Sequence, residues 1–293
     1  MSVPAQISIV LLSFNSTASI GRTIRSIRSL SDDIHVLDSF STDDTVELCR
    51  SLGCQVQKRA FLHYADQRNW AIDNLPLRHA WQLHVDADEE FTPDLVKAVA
   101  ELDLAESAVD GYIMGRKIVF LGRVLKHGAV AKTWHYRLFR TGFGRCEDRL
   151  YDQHFVSLGR VGKIKAFMLD HQENSLSEWT GRHNHWSDME VKEVLGEEMP
   201  GDGVRVVANS SGTTIERKRS VKTRYYRLPL FLRSNAYFLY GYILRLGFLD
   251  GARGYIWSSL QAFWFRTLID AKIYEARMAR QAAEEAETVT SKE

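Results

Sequence analysis

Cysteine is scarce in this chain. Cys49, Cys54 and Cys146 are the only three in 293 residues. The number is odd, and no CxxC or Cys/His spacing is present, so neither a disulfide framework nor a zinc site is expected. Free thiols in a reducing cytosol are the expectation. Long apolar runs are also missing. No uncharged stretch reaches the ~18 residues a spanning helix needs. No basic, apolar, small-residue leader precedes the first expected strand near Ile7, so no secretory signal is expected. An excess of one charge is lacking too, with 38 Lys+Arg against 37 Asp+Glu. That balance argues against a general nucleic-acid binder, although a local basic patch remains open. There is no internal repeat.

Apolar residues make up 45% of the chain, enough for a sizeable core in one large domain or a domain with an appendage. The first 110 residues alternate between two periods. Ile7 to Leu12 is a continuous apolar run, as a parallel strand covered on both faces would be. Helical spacing follows over Thr23 to Leu30. Further strands are expected at Ile34 to Leu37, weakly at Gln55 to Gln57, and at Trp81 to Val85. Helices are expected over Thr42 to Leu52, Ala65 to Leu75 and, from Pro93, through Leu102. This order predicts an α/β fold with a doubly wound, mostly parallel sheet. From Gly111 to His171 the pattern changes. Strands at Tyr112 to Phe120, Trp134 to Phe139 and Lys163 to Leu169 predict a mixed extension of the sheet. A helix is expected over Leu176 to Leu195.

Sheets of this kind bind ligands at the carboxyl ends of their strands. Those ends carry Ser13-Phe14-Asn15, Asp38-Ser39 and Asp86-Ala87-Asp88. Asp38 suits a hydrogen bond to a base edge or a ribose hydroxyl, or it caps its own turn. Ser13 and Asn15 allow the same two readings. Asp86 and Asp88 point to one side if the strand conformation continues past Val85. Two carboxylates so close raise each other's pKa unless a cation lies between them. Mg²⁺ favours one or two carboxylates completed by phosphate oxygens. On the helix before that strand, Arg68 suits a phosphate and Asn69 a base, and a solvated face is the alternative for both.

Ser13-Phe14-Asn15, Asp38 through Thr45, Gln67-Arg68-Asn69 and Trp81 through Glu89 stand in the order of family 2 glycosyltransferases of the GT-A type, which the chain resembles over roughly residues 5–190. Phe120-Leu121-Gly122-Arg123, His127-Gly128, Tyr136-Arg137-Leu138-Phe139-Arg140 and Phe248-Leu249-Asp250-Gly251 are similar to the bacterial lipopolysaccharide-core and exopolysaccharide members. The resemblance implies an inverting, metal-dependent transferase with a nucleotide-sugar donor, uridine-linked by resemblance alone. It implies that Asp38 contacts the nucleoside, that Asp86 lies near ribose and metal, and that Asp88 holds Mg²⁺ or Mn²⁺.

Inversion by direct displacement needs one general base, on the face opposite the departing diphosphate. The acidic segment of the second half supplies the candidates Asp148, Asp152 and Glu147, in that order. Glu147-Asp148 looks like the family's Glu-Asp pair, whereas the lipopolysaccharide-core subgroup more often shows His-Glu. A salt bridge to Arg145 or Arg149 is the structural alternative. The basic stretch Arg116, Lys117, Arg123, Lys126 and His127 either faces an anionic acceptor or is a solvated face. Trp179 and Trp186 fit either core packing or sugar stacking.

Arg217 to Arg227 holds six basic residues and no acidic one. On a helical wheel Ser259, Arg266, Asp270 and Arg277 form one stripe, opposite Trp257, Leu260, Trp264 and Leu268. That pattern, with its basic run and many aromatics, fits a helix lying in the headgroups of an anionic leaflet. Packing on the protein itself is the alternative. The expected organisation is a GT-A catalytic domain over 1–195, with a nucleotide-sugar half (1–110) and an acceptor half (111–195). A linker and basic segment (196–224), amphipathic membrane-associating helices (225–280) and a polar tail (281–293) follow. The expected function is sugar transfer to a lipid-linked or polysaccharide acceptor in cell-envelope glycan synthesis. The expected location is the cytoplasm, at the inner face of the cytoplasmic membrane. A nucleotidyltransferase also uses paired carboxylates and Mg²⁺, but Ser13 to Ala18 lacks a glycine- and lysine-rich triphosphate loop. A non-catalytic nucleotide-sugar-binding scaffold on the membrane is the third reading.

Overall fold

The computed structural model describes residues 6–149, 151–172, 175–196 and 203–290. The chain divides into two compact units. Among the described residues, the first holds every strand and four helices.

Strand β1 (Ile7–Ser13) and helix α1 (Thr17–Ile27) open it, and α1 buries Ile20, Ile24 and Ile27 on one stripe. The helix starts earlier than the periodicity predicts because Ser16 to Ser19 already make its first turn. Strand β2 (Ile34–Asp38), α2 (Thr45–Ser51), β3 (Gln55–Lys58) and α3 (Tyr64–Asn74) follow. Leu75 is extended, as a residue before proline must be, and ends α3. Strand β4 (Trp81–Asp86) turns through Ala87-Asp88 into the short β5 (Glu89–Phe91). Helix α4 (Pro93–Ala100) begins with proline in its first turn, and the Thr92 hydroxyl caps it by accepting from the Leu95 amide at 3.3 Å.

The mixed part comprises β6 (Gly111–Phe120), β7 (Arg123–Val124), β8 (Lys132–Arg140), β9 (Gly144–Cys146), β10 (Phe155–Ser157) and β11 (Val161–Gln172). The main sheet runs β3-β2-β1-β4-β8-β6-β11-β5, with β7 paired to β6, and β9 and β10 form a separate hairpin. Pairs among β1, β2, β3 and β4 are parallel, as is β6 with β11. Strand β8 is inserted antiparallel between β4 and β6. The fold is therefore the expected mostly parallel α/β sheet with a mixed extension. Its core is the run of β1, β2 and β4 side chains packed on α1 and α4. The three cysteines are free and buried.

Register aligns the strand ends. Ser13 lies opposite Asp38 and Leu12 opposite Asp86. Because β6 runs parallel to β4 across the antiparallel β8, the carboxyl end of β6 and the amino end of β8 share that edge.

The second unit is helical: α5 (Leu176–Val194), α6 (Thr214–Tyr226), α7 (Leu232–Leu239), α8 (Gly251–Trp257) and α9 (Phe265–Thr290). Part of the expected linker, residues 197–202, lies outside the described residues. Much of the basic run after it is helical, because Thr213 and Glu216 form a capping box at the start of α6. Trp179 is buried and its ring stacks 3.5 Å from that of His183, so it serves the core of this unit. Asp270 is buried as well and pairs with Arg233, whose Nη2 is 2.6 Å away.

The polar stripe of the helical wheel therefore does not all face outward. Seven residues, Ser258–Trp264, form a π-helix. Hydrogen bonds running i to i+5 put a wheel drawn for an α-helix out of phase from there on. The expected polar tail does not fray at once: α9 continues through Thr290, with Gln281 bonded to Glu285 one turn on at 3.1 Å.

Candidate active site

Two aspartates end neighbouring parallel strands on either side of β1, and each is held differently. Asp38 is fully buried. Its Oδ1 accepts from the Ser13 hydroxyl at 2.9 Å and its Oδ2 from the Ser41 amide at 2.8 Å. Asn15 crosses to the same loop, where its Oδ1 accepts from the Thr42 amide at 2.8 Å. Asn15 and Phe40 both adopt left-handed backbone, with φ of 45° and 61°. Such strain persists only where surroundings enforce it, and here Ser13, Asn15 and Asp38 do so together. Phe14 and Phe40 point outward beside them, both more than half exposed. Sequence alone left Ser13, Asn15 and Asp38 as either turn-builders or ligand contacts. Their carboxylate and amide oxygens build the loop, and the open surface of that loop is aromatic.

Asp86 is held by cations. Arg68 Nη2, from α3, donates to its Oδ1 at 2.8 Å, and Arg137 Nη2, from β8, donates to its Oδ2 at 2.6 Å. The same Arg137 nitrogen reaches Glu89 Oε1 at 2.7 Å, while Glu89 Oε2 accepts from the Asp86 amide at 2.9 Å. Burial opposes ionisation of Asp86, but Arg137 and Arg68 hold its carboxyl far below the usual carboxylate range. Burial pushes Glu89 the other way, up to about 7, with Arg137 opposing. His84, two residues back along β4, packs against the rings of Phe139 and Phe155. Burial, then the two arginines, push its imidazole down to about 3, so it is neutral.

Arg137 and Glu89 were not among the expected site residues. A signal for them existed. An arginine inside the apolar run Trp134 to Phe139 must find a carboxylate once buried, and it is only 4% exposed.

Asp88 does not continue the strand. Strand β4 ends at Asp86, and Asp88 sits half-exposed on the following turn. The alternation expected to align the two side chains therefore stops between them, and Asp86 is neutralised by guanidinium groups. Among the described residues no three His, Cys, Asp or Glu side chains gather to hold a metal ion. A cation bridged to a diphosphate needs only one or two protein carboxylates. Asp88 fits that smaller requirement. Asp86 already gives one lone pair on each carboxylate oxygen to an arginine.

The acidic segment is brought close by the β9–β10 hairpin. Asn69 fastens that hairpin to α3: its Nδ2 donates to the Cys146 carbonyl at 3.0 Å and its Oδ1 accepts from the Cys146 amide at 2.8 Å. Both ends of the Asn69 amide are thus spent on backbone. Arg68, beside it, lies over the Phe155 ring. Of the three candidate bases, Glu147 is buried and accepts from the Val206 amide at 3.1 Å. Asp148 is half-buried, with its amide bonded to the Val204 carbonyl at 2.9 Å. Asp152 has its side chain 36% exposed, lies 3.9 Å from His154 Nε2 and has left-handed backbone at φ 57°. At the far side of the edge, Arg116 pairs with Asp170 at 3.0 Å and His171 with Glu90 at 2.8 Å.

Residues 8–165, more than half of the chain, match Glycosyl transferase family 2. The chain belongs to that family. An uncharacterised glycosyltransferase of Rickettsia conorii is 31% identical over 160 residues, 55% of this chain and 52% of that protein. One of Rickettsia felis is 32% identical over 156 residues, 53% and 51% respectively. The chain thus spans about half the length of these curated relatives. Among solved structures, Staphylococcus aureus TarS 1-349 in complex with UDP-GlcNAc superposes with a TM-score of 0.44 at 16% identity, over 64% of this chain and 65% of that one. The matched family region covers the Asp38 loop, β4 with Asp86 and Asp88, Arg137 and the acidic hairpin loop. It does not reach the helices α5 to α9.

Proposed function

We propose that this family 2 protein is an inverting glycosyltransferase. It moves a sugar from a nucleotide diphosphate donor, UDP-linked by resemblance, to a lipid-linked or saccharide acceptor in cell-envelope glycan synthesis. The observation that carries the reading is the convergence of three parallel strand ends. Their register sets Asp38 and Asp86 on either side of β1, with Asp88 on the turn beyond.

In this reading the nucleoside lies against the Ser13–Asn15 and Asp38–Ser41 loops, with Phe14 and Phe40 as its apolar walls. Arg68 and Arg137 raise the positive potential where the diphosphate sits, and Asp86 fixes both guanidinium groups. Asp88 would hold Mg²⁺ or Mn²⁺, which when bound supplies charge stabilisation for the departing diphosphate. Asp148 takes the proton from the acceptor hydroxyl, because Glu147 is buried and already engaged by the Val206 amide. The openness and backbone strain of Asp152 favour it as the alternative base.

The test is a thermal-shift screen of UDP-, GDP-, dTDP- and CMP-sugars with and without Mn²⁺, since native-state ligands raise Tm by mass action. One donor class should raise Tm, and more so with Mn²⁺. Asp148→Asn should keep that shift and lose on the order of 10²-fold or more in turnover, the usual contribution of a general base. No shift with any donor would sink the reading. Full turnover in Asp148→Asn with loss in Asp152→Asn would pass the base to Asp152.

The location proposed is the inner face of the cytoplasmic membrane. No helix among the described residues is long and apolar enough to cross a membrane. The helical unit does expose Ile243, Leu244, Leu246, Phe248 and Leu249 around the bend before α8, with Leu244 at 73%, and the exposed Arg245 and Arg253 sit among them. Apolar side chains interleaved with arginines suit shallow insertion into an anionic leaflet. Vesicles rich in phosphatidylglycerol should retain the protein, and Leu244→Glu with Phe248→Glu should release it. Equal retention of both proteins would contradict this location.

A further inference from the structure

Away from the Asp86 cluster, three lysines crowd two aromatic rings on one face of β6, β8 and β11. Lys163 Nζ lies 3.6 Å from the centre of the Trp134 ring. Lys117 and Lys132 lie 4.4 and 4.6 Å from the centre of the Phe167 ring. The two rings are 5.5 Å apart. Lys117 and Lys132 are directly opposite each other across β6 and β8, a like-charge pairing that is unfavourable by itself. Among the described residues no carboxylate pairs with Lys117, Lys132 or Lys163. Arg116, on the other face of β6, has Asp170.

The platform beneath the lysines is built to order. A Cβ on Gly115 would come within 2.3 Å of the Phe167 ring, so glycine alone lets that ring lie across β6. A register shift between Ile164 and Phe167 in β11 accompanies it. Gly115 is itself opposite Trp134. The rings attract each ammonium group through their π faces but do not neutralise it. Three like charges held together without a counter-ion create a focused positive potential, which an incoming anion relieves. Lys117, near the carboxyl end of β6, and Lys132, which begins β8, lie toward the sheet edge that carries Asp86, and Lys163, near the amino end of β11, lies further back.

We infer that Lys117, Lys132 and Lys163, set on Trp134 and Phe167, bind a phosphoryl or carboxylate group of the acceptor. The acceptor is therefore an anionic saccharide or a sugar carried on a phosphate. Its assignment as acceptor, though not the anion binding, rests on the transferase reading above.

The experiment is calorimetric titration of the full chain with glucose 6-phosphate, with glucose as the uncharged control and UDP in parallel. The phosphate should bind saturably and glucose should not, and raising the salt should weaken the binding. The variant K117Q/K132Q/K163Q should weaken glucose 6-phosphate at least tenfold and leave UDP unchanged. Lys132→Gln alone, at an exposed position, should give an intermediate loss and guards against misfolding of the triple variant. Flotation with phosphatidylglycerol vesicles separates the sources: retention that falls in the triple variant supports a lipid-borne phosphate, and unchanged retention with weakened glucose 6-phosphate supports a free one. Equal heats for glucose and glucose 6-phosphate, or equal affinity of wild type and triple variant for the phosphate, would overturn the inference. Failure of the wild type to bind UDP, GDP, dTDP or CMP, with the phosphate site intact, would overturn the transferase reading and leave the anion site standing.

Discussion

Asp38 and Asp86 are two strand-end carboxylates separated by one strand, and they solve burial in opposite ways. Asp38 is satisfied by hydroxyl and amide donors from Ser13 and Ser41. Asp86 is satisfied by the guanidinium groups of Arg68 and Arg137. The first arrangement leaves no strong charge beyond the aspartate itself. The second concentrates two cations and a second buried acid, Glu89, in the same place. Neutral donors make a stiff loop. Shared cations make a site whose charge balance an entering phosphate or metal ion can change.

The largest expected effect that tests this contrast is Asp86→Ala. It strands two arginines, Arg137 nearly fully buried, and should cost about 3 kcal/mol or more of stability in chemical denaturation. Asp38→Ala strands only neutral donors and should cost less, about 2 kcal/mol. A larger loss at Asp38 would break the comparison. Asp38→Asn, which keeps an acceptor for Ser41, should cost about 1 kcal/mol.

A finer prediction concerns pH. Glu89 is raised to about 7 from an ordinary 4.5. Its share of stability is therefore complete below about pH 4.5 and is lost as pH rises through about 7. Glu89→Gln should remove that decline, so the stability difference between variant and wild type should change across this window. Asp86 is lowered, so its share is present above the ordinary carboxylate pKa and is lost only as pH falls below it. A difference that stays flat from pH 4.5 to 7 would show that Arg137 keeps Glu89 ionised.

Much of the first half was legible from residue order. The segments at Ile7 and Trp81 are buried on both faces, polar Ser8, Gln82 and His84 included, as suits strands of a covered parallel sheet. The polar residues that follow them, Ser13, Asp38 and Asp86, therefore meet at one edge. What was hidden depends on long-range pairing. Nothing local says that β8 is inserted between β4 and β6, and only that insertion carries Arg137 to Asp86. The three-residue β5 is too short to show a period, and the turn before it takes Asp88 out of the alternation of β4. The double hydrogen bond from Asn69 to Cys146 spans 77 positions, so a solvated face and a ligand contact both stayed open in sequence. In the helical unit the π-helix over Ser258–Trp264 breaks the assumption on which a wheel rests.

The central claim is that the edge formed by Asp38, Asp86 and Asp88 grips a nucleotide diphosphate, with Asp88 alone carrying the cation. Calorimetric titration of UDP into wild type and Asp88→Asn, each with Mn²⁺ and with EDTA, tests it directly. The account predicts that Mn²⁺ tightens UDP binding to wild type and leaves the weaker binding to Asp88→Asn unchanged. The same Mn²⁺ enhancement in both proteins, or no UDP binding to wild type under either condition, would contradict it.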